Sequence, residues 1–408
     1  MIRALELRQR ISGFGASSAW TAPMLSDELA DQFFSVERGI GLSLLRLRIA
    51  PDGTTGETAT AHQALERGAK VWAAPWSPPA EWKLPPAESA SNESAWREAN
   101  AGGLWGGQLD AKYYGAWAER LVGFVSALSA EGVPLLALSA QNEPDYVAGW
   151  ETCRWTPDEL KSFIGEHLAP RLAQAALPTR IMAPEVSGWG SVSRYTDPLL
   201  ADEAARSSVG IIATHGYNGV PFDYQALESQ GKELWVTEAS MSGSGSPGMA
   251  SALALASKMN DDLSIGEVNA WHYWWLMPRT DSGATADTGS ALVVDGQLTR
   301  RAYVMGQFSR FLRPGSVRLA ISTDKPSSGV AVSAYQSAEG AELVVVVSNL
   351  SGEAPVDFEL ADRSVSELVP WVTSETQALE PRTPIAGGAA FEYLAPARSV
   401  TTLVGRFE

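Results

Sequence analysis

Two glutamates stand where acid–base and nucleophilic work could be done. Glu143 lies in Gln141-Asn142-Glu143-Pro144 and Glu238 in Thr237-Glu238, each closing an apolar run. Splitting a glycosidic bond needs such a pair: one carboxylic acid to protonate the leaving oxygen, one carboxylate to meet the oxocarbenium-like centre. Other chemically able residues sit at the ends of further apolar runs. They are Arg46 and Arg48, His215 with Tyr217, Trp76 in Pro75-Trp76-Ser77-Pro78, and Trp271 through Trp275. An arginine and a tyrosine hydroxyl would keep one carboxylate ionised, while a drier setting would leave the other its proton. The flat rings of Trp76 and Trp274 suit the C–H face of a sugar. Each residue also has a plainer explanation. Either glutamate alone is an ordinary acid after a strand, Arg46 an internal brace, and His215 and Tyr217 satisfied core residues. The tryptophans could fill a core, and Glu185 reads as a loop residue rather than a third acid of the site.

Positioning these residues together requires elements that bring distant stretches to one rim. Eight short apolar runs, at 13–17, 44–50, 70–75, 135–141, 180–184, 210–216, 233–238 and 268–275, alternate with helical stretches such as 27–38, 112–131, 157–176, 249–262 and 299–312. Ser26 opens the first helix, and Thr156-Pro157-Asp158-Glu159 supplies a cap, a first-turn proline and first-turn acids. Eight strand–helix pairs predict an α/β fold, a (β/α)8 TIM barrel, whose functional residues gather at the C-terminal ends of its strands. An open doubly wound sheet is the alternative, but Gly13-Phe14-Gly15 lacks the third glycine and the immediate helix of a phosphate loop. After Arg313-Pro314-Gly315 the texture changes to short alternating runs separated by turn residues, which predicts an all-β side sandwich. Residues 2–9 alternate too and are expected to join it. The predicted division is a catalytic barrel over 12–312 and a sandwich from 1–11 plus 313–408.

Composition narrows the partners. A net charge of −16 argues against nucleic acid or an anionic membrane, since like charges repel. Cys153 is the single cysteine, and the four histidines lie far apart, so a metal site would need tertiary convergence. Neither metal nor cofactor is expected, and the chain is expected to act as a monomer. No run of ~20 apolar residues is present. The first fifteen residues lack the apolar core of a signal peptide. The expectation is a secreted protein whose signal lies outside this sequence, with a cytoplasmic one as the alternative.

The motifs also resemble a known family. Gly13-Phe14-Gly15, Leu44-Leu45-Arg46-Leu47-Arg48-Ile49, Pro75-Trp76-Ser77-Pro78-Pro79-Ala80-Glu81-Trp82-Lys83 and Leu138-Ser139-Ala140-Gln141-Asn142-Glu143-Pro144-Asp145-Tyr146 are matched in order. So are His215-Gly216-Tyr217, Leu234-Trp235-Val236-Thr237-Glu238, Trp271–Trp275, and Arg301-Ala302-Tyr303 through Phe311-Leu312-Arg313-Pro314-Gly315. The chain resembles glycoside hydrolase family 30 of clan A, above all its bacterial endo-β-1,4-xylanase and glucuronoxylanase branch. The resemblance implies a barrel with a side sandwich fed by both termini. It implies a retaining mechanism on a polysaccharide or oligosaccharide, with Glu143 as acid/base and Glu238 as nucleophile. It further implies Asn142 on the sugar 2-hydroxyl, Arg46 and Tyr217 behind the nucleophile, and Trp76 and Trp274 lining the cleaving subsite. Tyr146 and His215 belong to the expected substrate-binding set. One departure concerns specificity. Trp275-Leu276-Met277-Pro278-Arg279 carries an apolar Met-Pro where that branch has a basic pair for glucuronate, with Arg279 as the substitute. Strict glucuronate dependence is therefore not expected. A β-1,6-galactanase, a β-1,6-glucanase or an exo-glycosidase remains open, as does a non-catalytic carbohydrate-binding barrel.

Overall fold

The computed structural model describes residues 1–21, 24–241, 248–277, 290–323 and 329–408. Eight parallel strands close into a barrel: β1 (Gly13–Ser17), β2 (Leu44–Ile49), β3 (Lys70–Pro75), β4 (Leu135–Ser139), β5 (Arg180–Met182), β6 (Val209–His215), β7 (Glu233–Glu238) and β8 (Ala270–Trp275). Each pairs with its sequence neighbour, and β8 pairs in parallel with β1. The doubly wound alternative is excluded by that closure. A barrel of this size has room inside for side chains only, and large residues are set against small ones. Trp72, Met182 and Trp235 fill the interior beside Ala74, Ala137, Ala213 and Ala270. Gly15 is required by close approach, because a Cβ there would meet the His272 ring at 2.5 Å and the Leu44 carbonyl oxygen at 2.6 Å. Burial lowers the pKa of His272 to about 3, so its Nδ1 donates to Val236 O (3.1 Å) and its Nε2 accepts from Trp72 Nε1 (3.0 Å).

Helices cover the barrel from outside. Ser26 accepts from Leu29 N and starts Asp27–Phe34. This helix stops short of the expected 38 because Ser35 turns to extended backbone and its hydroxyl accepts from Arg38 N. Thr156 and Glu159 form a reciprocal capping box before Pro157–Ser162. The chain then passes through a π-helical turn, Phe163–Leu168, into Ala169–Gln174. Tyr114–Ala130, Met249–Ser264 and Arg300–Ser309 supply longer buried faces.

Beside the barrel, Ile2–Arg10 pairs antiparallel with Val317–Ile321. It forms the edge of a seven-stranded sheet that continues through Val330–Gln336, Glu342–Asn349, Ser399–Phe407, Val365–Thr373 and Glu380–Pro381. Both termini thus build this layer. A second layer is the antiparallel pair Ala354–Glu359 and Ala390–Ala395, with Phe358 stacked on Phe391. Strand alternation decides what the sheet joins. Leu343, Val345 and Val347 face the sandwich core, while Val344 and Val346 belong to the barrel's core cluster. Gln307 fastens the two bodies, accepting through its backbone from Thr402 Oγ1 (2.6 Å) and donating to Thr373 Oγ1 (2.8 Å).

Candidate active site

The functional side chains follow the C-terminal ends of the strands. Arg46 stands on β2, Trp76 after β3, Asn142 and Glu143 after β4, and Glu185 after β5. His215 ends β6, Tyr217 follows it, Glu238 ends β7, and Trp274 lies on β8. Local backbone devices aim them. Between β6 and β7 the pairing slips, so that Val236 opposes Thr214 but Glu238 opposes His215. Such an irregularity re-aims a side chain at a strand end. Gln141 staples the turn after β4, donating to Trp76 O and Asn142 O and accepting from Trp155 Nε1. Glu143 has φ +46° and Glu185 φ +57°, a region non-glycine residues enter at a cost of about 1–3 kcal/mol when the surroundings force it. Glu143 N donates to Glu185 O at 2.9 Å, and Asp145 accepts from both Ser187 N and Ser187 Oγ. The two strained turns hold each other.

At the centre is the Arg46 guanidinium, fully buried. Nη1 donates to Glu238, and Nη2 donates to Asn142 Oδ1 and to Glu185 Oε1 (2.8 Å). Its face lies on Trp76 at 4.4 Å, with Trp72 and Trp274 beyond. Tyr217 donates its hydroxyl to the other oxygen of Glu238 at 2.7 Å. His215 Nδ1 meets Glu143 Oε1 at 3.0 Å, while its Nε2 lies 3.6 Å from Glu185 and 3.7 Å from Glu238. Glu143, His215 and Glu238 each offer an atom within 4.8 Å of the others. A divalent cation could be spanned at that spacing, but Arg46 already sits on Glu238 and would oppose it.

The proton positions follow from charge. Burial would lower the pKa of His215, but the charge of Glu238 and the carboxylates of Glu143 and Glu185 overcome it and raise the value to about 10. Burial raises the pKa of Glu143 and the charge of Glu238 adds to this, while His215 pulls the other way. Glu185 is buried as well, yet Arg46 and His215 hold its carboxyl below the usual range. Two cations, Arg46 and His215, therefore balance two carboxylates, Glu185 and Glu238, when Glu143 keeps its proton. His215 then donates to Glu143 Oε1, leaving Oε2 to carry the acid proton. This proton placement is assigned from the charges. Asn142 is assigned the same way. Arg46 forces the amide oxygen inward, so Asn142 Nδ2 is a buried donor with no partner among the described residues.

The remaining expected residues fall at different distances from this centre. Trp76 is only 2% exposed and lies beneath Arg46, whereas Trp274 keeps part of its ring open. Trp20, which no sequence motif singled out, joins both rings at 5.0 and 6.1 Å. Tyr217 is 42% exposed although its hydroxyl turns inward. Tyr146 stands exposed on the loop after Glu143 and packs on Trp150. Arg279 and Pro278 lie outside the described residues. Glu185 does lie in the loop after β5, as expected, but there it is fully buried between Arg46 and His215 and belongs to the site's charge cluster. Only the tertiary cations around it reveal that.

Known proteins share this fold. The Glycosyl hydrolase family 30 TIM-barrel domain matches residues 57–247, and the Glycosyl hydrolase family 30 beta sandwich domain matches residues 315–403. The Glucuronoxylanase XynC of Bacillus subtilis (strain 168) is 29% identical, over 97% of this chain and 89% of its own length. The subfamily 8 xylanase Xyn30A of Clostridium acetobutylicum is 31% identical, with a TM-score of 0.84 over 99% of this chain and 98% of that one. The GH30 endoxylanase of Clostridium papyrosolvens C71 is 29% identical, with a TM-score of 0.82 over 99% of both chains. Two matched domains and full-length likeness, joined to this barrel and sandwich, establish that the chain is a glycoside hydrolase and belongs to family 30.

Proposed function

We propose that this glycoside hydrolase is an endo-β-1,4-xylanase working by double displacement with retention. The carrying observation is the spacing of the two carboxyl groups, with one oxygen of each inside 4.8 Å. Retaining enzymes keep their carboxyls about 5–5.5 Å apart, whereas inverting ones leave roughly 6.5–9.5 Å for a water. The environments divide the roles. Glu238 is held by Arg46 and Tyr217 with its oxygens aimed, which suits a nucleophile that must remain ionised. Glu143, with its raised pKa, keeps the proton that the leaving oxygen needs. After the glycosyl–Glu238 ester forms and the aglycone leaves, ionised Glu143 takes a proton from water, which then attacks the anomeric carbon and releases Glu238. Asn142 Nδ2, the buried donor without a partner, suits the 2-hydroxyl of the reacting sugar.

Xylan is favoured as substrate by the relatives, three of which are named for xylanase activity at 29–31% identity across nearly this whole chain. Because Met277-Pro278 stands where the family resemblance implies a basic pair, the proposed specificity does not require a glucuronate branch. Secretion is part of the same proposal, because a polymer of this kind would be met outside the cell. The test is digestion of branched and debranched xylan, β-1,6-galactan and β-1,6-glucan, with products sized by mass and the first-formed anomer read by proton NMR. Internal cleavage of both xylans with the β-anomer appearing first is expected. Cleavage of a β-1,6-linked polymer alone, or first appearance of the α-anomer, would overturn the proposal.

A further inference from the structure

We propose that Glu185 is a positioning residue for the hydrolysis, its buried carboxylate fixing Arg46 and His215 against Glu238 and Glu143. The inference rests on the roles just given to the two acids, but its observations are its own. No part of Glu185 reaches solvent. Oε1 accepts from Arg46 Nη2 at 2.8 Å and stands 3.6 Å from His215 Nε2. Oε2 makes no well-aligned hydrogen bond among the described residues, with the Ser139 hydroxyl beside the carboxylate. The main chain is equally engaged. Glu185 N donates to Ala213 O and Glu185 O accepts from Glu143 N. One residue thus sets the backbone of one acid and touches the cation behind the other. It lies too deep to meet substrate, so any effect it has on turnover must pass through its neighbours.

The need for an anion there follows from what the other groups leave unmet. His215 is faced by Glu143 after β4, Glu185 after β5, Glu238 on β7 and Tyr217 in its own loop, with Arg46 on β2 just beyond. Glu238 already receives Arg46 and Tyr217, and Glu143 faces only Nδ1. Without Glu185, Arg46 Nη2 would keep only Asn142, and Nε2 would face Glu238 alone. Two buried cations cannot both remain charged beside Glu238 alone while Glu143 keeps its proton. A guanidinium does not release one, so the excess charge is shed by His215, which loses one of the anions that hold its proton, or by Glu143, which then loses its acid proton. A neutral ring can accept at Nδ1 as readily as donate, and the hydrogen bond that aims Glu143 would lose its fixed direction.

The experiment uses the full chain with Glu185→Gln, which keeps shape and removes charge. Imidazole nitrogen NMR reads His215 directly, and with four histidines in the chain each signal is assigned by one substitution. In the unaltered protein His215 should stay doubly protonated through pH 8. In Glu185→Gln its titration should fall by at least about one pH unit, with kcat reduced at least about tenfold and KM little changed. An unchanged His215 titration, or a loss confined to thermal stability, overturns the proposal. Should the glutamine variant not fold, Glu185→Asp carries the test. Its charge, drawn back by one methylene, must still lower the His215 titration, and no change would again be fatal. The His215 titration is read in the resting enzyme and does not depend on which acid is the nucleophile, so failure here and failure of the catalytic assignment are distinguishable.

Discussion

Replacing Arg46 by lysine tests whether the site depends on a forked cation or merely on a positive charge. The guanidinium serves three acceptors at once, Glu238, Asn142 and Glu185, from a side chain with no exposure to solvent. A lysine ammonium is a compact point charge on a narrower stem and cannot satisfy all three from the same place. Losing one charge-assisted hydrogen bond costs about 1.5–3 kcal/mol. At 1.36 kcal/mol per factor of ten, kcat/KM should fall roughly 10- to 150-fold. Orientation should dominate, because the attacking oxygen must lie in line with an anomeric carbon about 3–3.5 Å away. The assay is the initial rate of reducing-end release from xylan, with thermal unfolding followed in parallel. A folded Arg46→Lys variant within threefold of the unaltered enzyme would refute the reasoning. Arg46→Leu should be worse in a different way, since removing one partner from a buried ion pair costs about 3–5 kcal/mol of stability.

Glu238→Ala should abolish turnover on every substrate, whereas Glu143→Ala should spare aryl glycosides whose leaving groups need no proton; near-normal polymer cleavage by Glu238→Ala would show the wrong nucleophile was chosen. Glu143 must be protonated to act as acid, and its pKa is raised by burial, so kcat/KM should persist above the ordinary carboxylate range and fall as pH rises through that raised value. This basic limb should vanish in Glu143→Ala assayed on an activated aryl glycoside, and an unaltered limb would assign it to another group. Glu57, buried under Ser18 Oγ and Arg48 N, has its pKa raised by burial to about 7. A raised folded-state value means its contribution to stability is complete below the unfolded value near 4.5 and is lost as pH rises through about 7. Glu57→Gln should therefore gain thermal stability relative to the unaltered protein at pH 8 more than at pH 4, and equal differences at both pH values would contradict this.

What could be read from the sequence divides along a physical line. The barrel was legible because a buried parallel strand and an amphipathic helix leave different periodicities, and those survive wherever tertiary contacts fall. The sandwich was legible for the same reason, and Val344 and Val346 alternate with Val345 and Val347 as a strand between two cores must. Glu143 and Glu238 were legible because one shortly follows a strand and the other ends one, each with unusual neighbours. Glu185 was not, since Ala183-Pro184-Glu185 has the composition of any loop, and nothing local states that Arg46 and His215 arrive from β2 and β6 to meet it. Trp20 was missed for a related reason, because its partners Trp76 and Trp274 come from other strands. Trp76 has the flat ring that suits a sugar face, but nothing local states that a guanidinium from β2 lies over it.

These cases share a cause. A sequence shows which residues can carry charge, but the state each adopts depends on the others buried with it. Glu143, Glu185 and Glu238 are chemically the same residue, and all three are buried. They differ in what stands beside them: Arg46 with a tyrosine hydroxyl at Glu238, Arg46 with imidazolium at Glu185, and imidazolium alone at Glu143. With three carboxyls and two cations, one proton must remain, and it stays on the carboxyl that Arg46 does not touch. The division of labour between acid and nucleophile is thus a property of five side chains from five strands or strand ends. Changing the charge of any one of them should move the proton, even where no substrate atom is touched.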